Sequence, residues 1–169
     1  MRHRFDSRTN TSWTQAKGFT LIELLVTLAI MATLASLVVP VAQVQIQRSK
    51  EQELRAAFRD IRTAIDAYKK AGDEGRIRRE AGATGYPKTL ELLVEGAEDQ
   101  RDPKRKKMFF LRQVPRDPFH EEATMPPVNT WLKRAYASEA NEPVEGDDVY
   151  DVRSRSPLIG LNGAALNRW

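Results

Sequence analysis

From Phe19 to Val39 the chain runs for 21 residues of which only Glu23 is ionisable; past Pro40 polar residues return and apolar ones recur at helical spacing. About 20 apolar residues suffice to span a bilayer as a helix, so the run predicts a membrane-length helix. Segment 41–70 contains neither Gly nor Pro, and Leu54, Phe58, Ile61, Ile65 and Tyr68 follow one another at steps of 4, 3, 4 and 3. Those steps place all five on one helix face. Arg55, Arg59, Asp60, Arg62, Asp66 and Lys69 fall largely on the others. Residues 20–70 therefore read as one helix of about 50 residues, about 75 Å long. Its first half is lipid-facing and its second half is packed on a domain. Pro40 removes one backbone donor and predicts a kink.

Gly72, Gly75, Gly82 and Gly85 break the periodicity, so 71–86 reads as a loop. A short helix is expected over 88–94, capped by Thr84 or Thr89. Residues 98–107 are strongly charged. They read as a solvated loop in preference to a surface for an anionic partner, because no aromatic residue is interleaved. Three strands are expected at Met108–Gln113, Thr130–Ser138 and Val149–Ser154. Strands after helices predict an α+β fold, a long N-terminal helix packed on a small C-terminal antiparallel sheet.

Charge refines this picture. The net charge is +4, but Arg2, Arg4, Arg8 and Lys17 against Asp6 place +3 in the first 18 residues, leaving +1 for the rest. The basic balance therefore does not indicate a nucleic-acid binder. The chain has no cysteine, which excludes disulfides, thiolate catalysis and cysteine metal sites. His120 beside Glu121 and Glu122 lacks HExxH spacing, and no GxSxG, P-loop or dinucleotide fingerprint is present. Asp147 and Asp148 are adjacent, so in a strand they would face opposite ways. No enzymatic activity is expected. Asp117-Pro118 is read as a turn whose carboxylate accepts local backbone hydrogen bonds, and Trp131 and Trp169 as packing anchors.

An acid inside a membrane helix costs about 2.5–3.5 kcal/mol and is usually functional. The stretch around Glu23 is Lys17-Gly18-Phe19-Thr20-Leu21-Ile22-Glu23-Leu24-Leu25, with Pro40 closing the run. It resembles the N-terminal signature of type IV prepilins and type II secretion pseudopilins. The resemblance implies cleavage between Gly18 and Phe19 by a prepilin peptidase, methylation of the new amine on Phe19, and pairing of Glu23 with that amine on a neighbouring subunit. Ordinary signal-peptidase cleavage near Thr33, Ala35 and Ser36 fits less well, because the apolar run continues through Leu37, Val38 and Val39.

Farther along, Tyr86-Pro87, then Pro115-Arg116-Asp117-Pro118-Phe119, then Tyr150-Asp151-Val152-Arg153-Ser154 and a terminal tryptophan resemble the major (G-type) pseudopilins. This implies a pilin fold divided into a cytoplasmic leader (1–18), a transmembrane assembly helix (19–40), its amphipathic continuation (41–70) and a periplasmic globular domain (71–169). It also implies a single-pass inner-membrane protein that polymerises with itself and other pseudopilins into a periplasmic fibre for protein export. A platform protein and its ATPase would drive growth. A type IV pilus subunit or a membrane-anchored periplasmic binding domain are the alternatives. Many major pseudopilins bind calcium in the loop after the Tyr-Asp strand. Here that loop, Ser156–Gly163, contains no acid, and only Asp148, Asp151 and Asn162 are nearby candidates. No cofactor is expected; a loop packed by Leu158, Ile159 and Leu161 is the expected substitute.

Overall fold

The computed structural model describes residues 18–169. Helix α1 (Leu21–Asp73) is followed by the short helix α2 (Glu91–Glu95), strands β1 (Ala97–Glu98) and β2 (Lys107–Met108), and strands β3 (Trp131–Arg134) and β4 (Asp151–Ser154). Single 3-10 turns at Pro127–Thr130 and Leu166–Arg168 precede β3 and follow β4. The α+β expectation holds. The chain divides into two compact units, Met1–Ala42 and Gln43–Trp169.

In the first unit, α1 is long and apolar enough to cross a membrane. Its large apolar side chains, Leu21, Ile22, Leu24, Leu25 and Leu28 among them, are exposed. Its hydroxyls are satisfied within the helix. Thr27 donates to the Leu24 carbonyl (2.9 Å), Thr33 to Ile30 (2.8 Å) and Ser36 to Thr33 (2.7 Å). Such back-bonding lets a hydroxyl sit in an apolar medium without an orphaned donor. Pro40 lies inside α1.

In the second unit, the stripe read from the sequence forms the core. Leu54, Phe58, Ile61 and Ile65 are buried and Tyr68 is packed against them. Leu90, Leu93, Val114, Trp131, Val149, Val152 and Leu166 complete the cluster. The Trp131 ring meets Phe58 at 5.4 Å between centroids, and its indole N–H donates to the Pro115 carbonyl at 2.8 Å. Trp131 is the anchor expected of it.

The sheet differs from the expectation. Instead of one sheet there are two separate antiparallel pairs, β1–β2 (Ala97 opposite Met108) and β3–β4 (Trp131 opposite Ser154, Arg134 opposite Asp151). Only Met108 of the expected strand 108–113 pairs. Phe110 and Leu111 instead donate both their amides to the Leu93 carbonyl (3.0 and 2.9 Å), turning the chain onto α2. The charged stretch read as loop is the connection of a hairpin, with Glu98 of β1 and Lys107 of β2 at its two ends. The helix α2 starts later than expected, and its N-cap position is Leu90 with no side-chain cap, not Thr84 or Thr89. Burial of Leu90 and Leu93 holds it instead. Gly96 ends α2 at φ 75°, and a Cβ there would lie 2.6 Å from the Met108 carbonyl oxygen. Only glycine suits both the left-handed turn and the close approach.

Candidate functional site

The N-terminal segment is built around Thr20. Its hydroxyl accepts the Glu23 amide (3.3 Å) and its carbonyl accepts the Leu24 amide (3.2 Å). Thr20-x-x-Glu23 is thus the first half of a capping box, a pattern visible in the sequence that reading Glu23 only as a buried acid overlooks. Glu23 sits in the first helical turn. There the helix dipole favours a negative charge by about 0.3–1 kcal/mol. Among the described residues no donor reaches its carboxylate. Gly18 and Phe19 precede the helix and are exposed, and a Cβ built on Gly18 meets nothing within 4 Å. Lys17 and the rest of the expected leader lie outside the described residues.

The candidate calcium ligands are engaged elsewhere. Asp148 accepts a hydrogen bond from the Thr84 hydroxyl and another from the Tyr136 amide (2.8 Å). Asp151 is paired with Arg62 at 2.7 Å, and Arg62 also donates to the Trp169 carbonyl (3.2 Å). Asn162 accepts the Ala164 amide within its own loop (3.1 Å). Each of the three thus has other partners, and among the described residues no group of three His, Cys, Asp or Glu side chains could hold a metal. Calcium asks for six to eight oxygens, so these residues do not fit it.

The apolar packing expected of this loop does not form. Leu158, Ile159 and Leu161 do not pack the loop; they are 56%, 64% and 46% exposed. The loop is tied by polar contacts. The buried Glu51 carboxylate accepts the Leu161 amide (2.7 Å) and the Gln47 side-chain amide (3.2 Å), while Gln47 also donates to the Ile159 carbonyl (3.3 Å). Gly160 passes under Trp169, where a Cβ would lie 2.6 Å from the indole ring. The Leu161 amide held by Glu51 and the Ile159 carbonyl held by Gln47 keep the loop main chain in, and its apolar side chains face out. The apolar stripe by itself does not point to Glu51, but its position does. It stands three residues before Leu54 and seven before Phe58, on the buried face, and an acid there is the signal.

Asp117 is fully buried. Its carboxylate accepts the Phe119 amide (2.9 Å), the local turn expected, and also the Ser154 hydroxyl (2.6 Å) across 37 residues. Its own amide donates to the Thr130 hydroxyl (3.1 Å). One side chain thus joins the 115–119 turn to β4.

Charged groups shape the far end of the unit. The Arg76 guanidinium, bonded to Asp99 at 3.1 Å through Nε, holds the Asp99 carboxyl below its ordinary value, and the Arg101 amide (3.0 Å) adds to this. The Lys88–Glu80 pair lowers the Glu80 carboxyl and raises the Lys88 ammonium. Burial pushes the Tyr68 and Tyr86 phenols up.

Comparison with known proteins bears on both halves. Residues 13–39 match the family model of the prokaryotic N-terminal methylation motif. The type II secretion system core protein G of Pseudomonas aeruginosa is 32% identical over 109 residues, 62% of this chain and 69% of that protein. Core protein G of Pectobacterium carotovorum is 31% identical over 107 residues, 61% of this chain and 62% of that protein. The type IV major fimbrial protein FimA of Dichelobacter nodosus is 40% identical over 60 residues, 36% of this chain and 38% of that protein. No solved structure matches the chain.

Proposed function

We propose, because the chain belongs to the type II secretion system core protein G family, that it is a structural subunit of a secretion pseudopilus. The leader, residues 1–18, is removed at the Gly18–Phe19 bond by a prepilin peptidase. Phe19 is N-methylated, and residues 19–40 anchor the chain in the inner membrane before it joins the fibre. Residues 41–70 continue the helix into the periplasmic domain, 71–169. Growth by an inner-membrane platform and its ATPase supports export across the outer membrane. The role is structural rather than enzymatic.

The observation that carries this reading is the opening of α1. An exposed Gly18–Phe19 bond stands one turn before a carboxylate that no donor among the described residues reaches. Cleavage would create a cation four residues before Glu23. An unpaired acid in hydrocarbon costs about 2.5–3.5 kcal/mol. Pairing it with the Phe19 amine of a neighbour relieves that cost and sets the axial register of the two helices. The apolar side chains exposed along α1 leave lipid for neighbouring helices at the same step. Pro40 gives the helix a place to bend as it does so. The FimA match favours a type IV pilus subunit as the second reading; both share the processing step.

The test is the intact mass and N-terminal sequence of the protein from native membranes. A chain beginning at N-methyl-Phe19 is expected, and Glu23→Ala should be processed normally yet yield little fibre. An uncleaved chain, or one beginning near Ser36, would overturn the proposal.

A further inference from the structure

The hairpin β1–β2 carries four consecutive exposed cations, Lys104, Arg105, Lys106 and Lys107, followed by Phe109 at 66% exposure. It is not a loose loop. Asp99, buried at its base, binds Arg76, accepts the Arg101 amide, and donates its own amide to the Lys106 carbonyl (3.0 Å). The Arg105 amide donates to the Asp102 carbonyl (2.9 Å). Arg101 reaches the Glu74 carbonyl, and the Gln100 amide donates to the Arg76 carbonyl (2.7 Å). The basic tip is thereby held at the C-terminal end of α1. That is about 45 Å along the helix from Gln43, where this unit begins.

The loop between β3 and β4 has the opposite charge. Glu139, Glu142, Glu145 and Asp147 are exposed, and none is in an ion pair among the described residues. Exposed apolar groups accompany them: Tyr136 at 57% and Val144 at 62%. This loop is also ordered by its own bonds. The Ser138 hydroxyl accepts the Val144 amide (2.8 Å), Arg153 donates to the Ala140 carbonyl (2.6 Å), and Ala135 and Val144 are joined through the backbone (3.0 Å). Asp148 ties it to Thr84, and a Cβ on the next residue, Gly85, would sit 3.2 Å from the Lys69 side chain. Both patches are therefore anchored at the C-terminal end of α1 and the turn that follows it, between Lys69 and Arg76. Within the chain they do not meet: the only acid within 4.0 Å of a cation at 104–107 is Glu98, at 4.0 Å from Arg105, among the described residues.

We infer that the basic hairpin of one subunit docks on the acidic 139–148 loop of a second copy. The inference rests on the fibre reading above. An open fibre needs a heterologous contact, in which two different surfaces of each subunit complement one another. Two preorganised patches of opposite sign, four charges each, with an exposed aromatic on one and apolar groups on the other, meet that requirement. Exposed pairs are individually weak, about a factor of two each, so four give roughly 16-fold and three give roughly tenfold. Their main effect is to choose the register and suppress wrong pairings.

The absence of native cysteine makes the test clean. The full-length chain carrying Lys106→Cys and Glu142→Cys is assembled into fibre and treated with a short thiol crosslinker. The expected result is a ladder of covalent oligomers. Reversing Lys104, Lys106 and Lys107 to Glu should cut fibre yield about tenfold, and adding Glu139→Lys, Glu142→Lys and Glu145→Lys should restore it. Processed chains that form fibre but give no ladder overturn this inference and leave the proposed function standing. Unprocessed chains and no fibre overturn both.

Discussion

Asp117→Ala removes the acceptor that joins the 115–119 turn to β4. The carboxylate receives the Phe119 amide and the Ser154 hydroxyl, and no part of it is exposed. A hydrogen bond to a charged group contributes about 1.5–3 kcal/mol. Loss of both leaves one buried and one half-buried donor without partners, and relief of the carboxylate's own desolvation pulls the other way. The net expected loss is about 3–4 kcal/mol, a large share of the roughly 5–15 kcal/mol that holds a domain together. For a unit of this size it corresponds to a fall in Tm of about 10–15 °C. Thermal melts of the full chain in detergent, followed by the fluorescence of buried Trp131, read it directly. Asp117→Asn keeps one acceptor and should fall by less than half as much. In a double-mutant cycle with Ser154→Ala, the two losses should add to more than the double mutant loses, by about 1 kcal/mol or more. A fall below about 3 °C for Asp117→Ala, or strict additivity with Ser154→Ala, would refute the reasoning.

Glu51→Ala should free the 156–163 loop without unfolding the core: exchange of the Leu161 amide, which Glu51 accepts, rises by about tenfold or more, while Glu51→Gln changes it far less. Acid titration should leave the basic hairpin in place down to the ordinary carboxylate value near 3.8. Arg76 lowers the folded-state pKa of Asp99, so this stabilisation is complete above that value and is lost only as pH falls through the lower, folded one. The Arg101 amide shift in NMR reports it, and an Asp99 midpoint above about 4 would contradict the pairing. Millimolar calcium should leave Tm unchanged, since Asp148, Asp151 and Asn162 are committed to other partners; a rise of several degrees would show a site that these contacts do not predict.

Several of these sites lie where local and long-range information part. Glu23 and the stripe Leu54–Tyr68 are legible because their meaning is local: one is an acid among apolar neighbours, the other a 3.6-residue period. Asp117 was half legible. Its bond to Phe119 spans two residues and belongs to the Asp-Pro turn, whereas its bond to Ser154 spans 37. Leu158, Ile159 and Leu161 depart from the expected packing for a related reason. Three apolar residues in a loop suggest burial, but Glu51, 110 residues away from Leu161, takes the amide that holds the loop with its side chains outward.

By itself the sequence determined the long helix, its apolar first half, the buried face of its second half and the α+β order, because hydrophobic periodicity and Gly or Pro punctuation act over a few residues. Only the tertiary structure decided that the strands form two separate pairs, that a charged stretch is a pinned hairpin, and which partners the acids choose. Those outcomes depend on which distant donors a buried carboxylate or carbonyl meets. A buried polar group must be satisfied by whatever folding brings within 3 Å or so of it, and no local pattern records which group that will be.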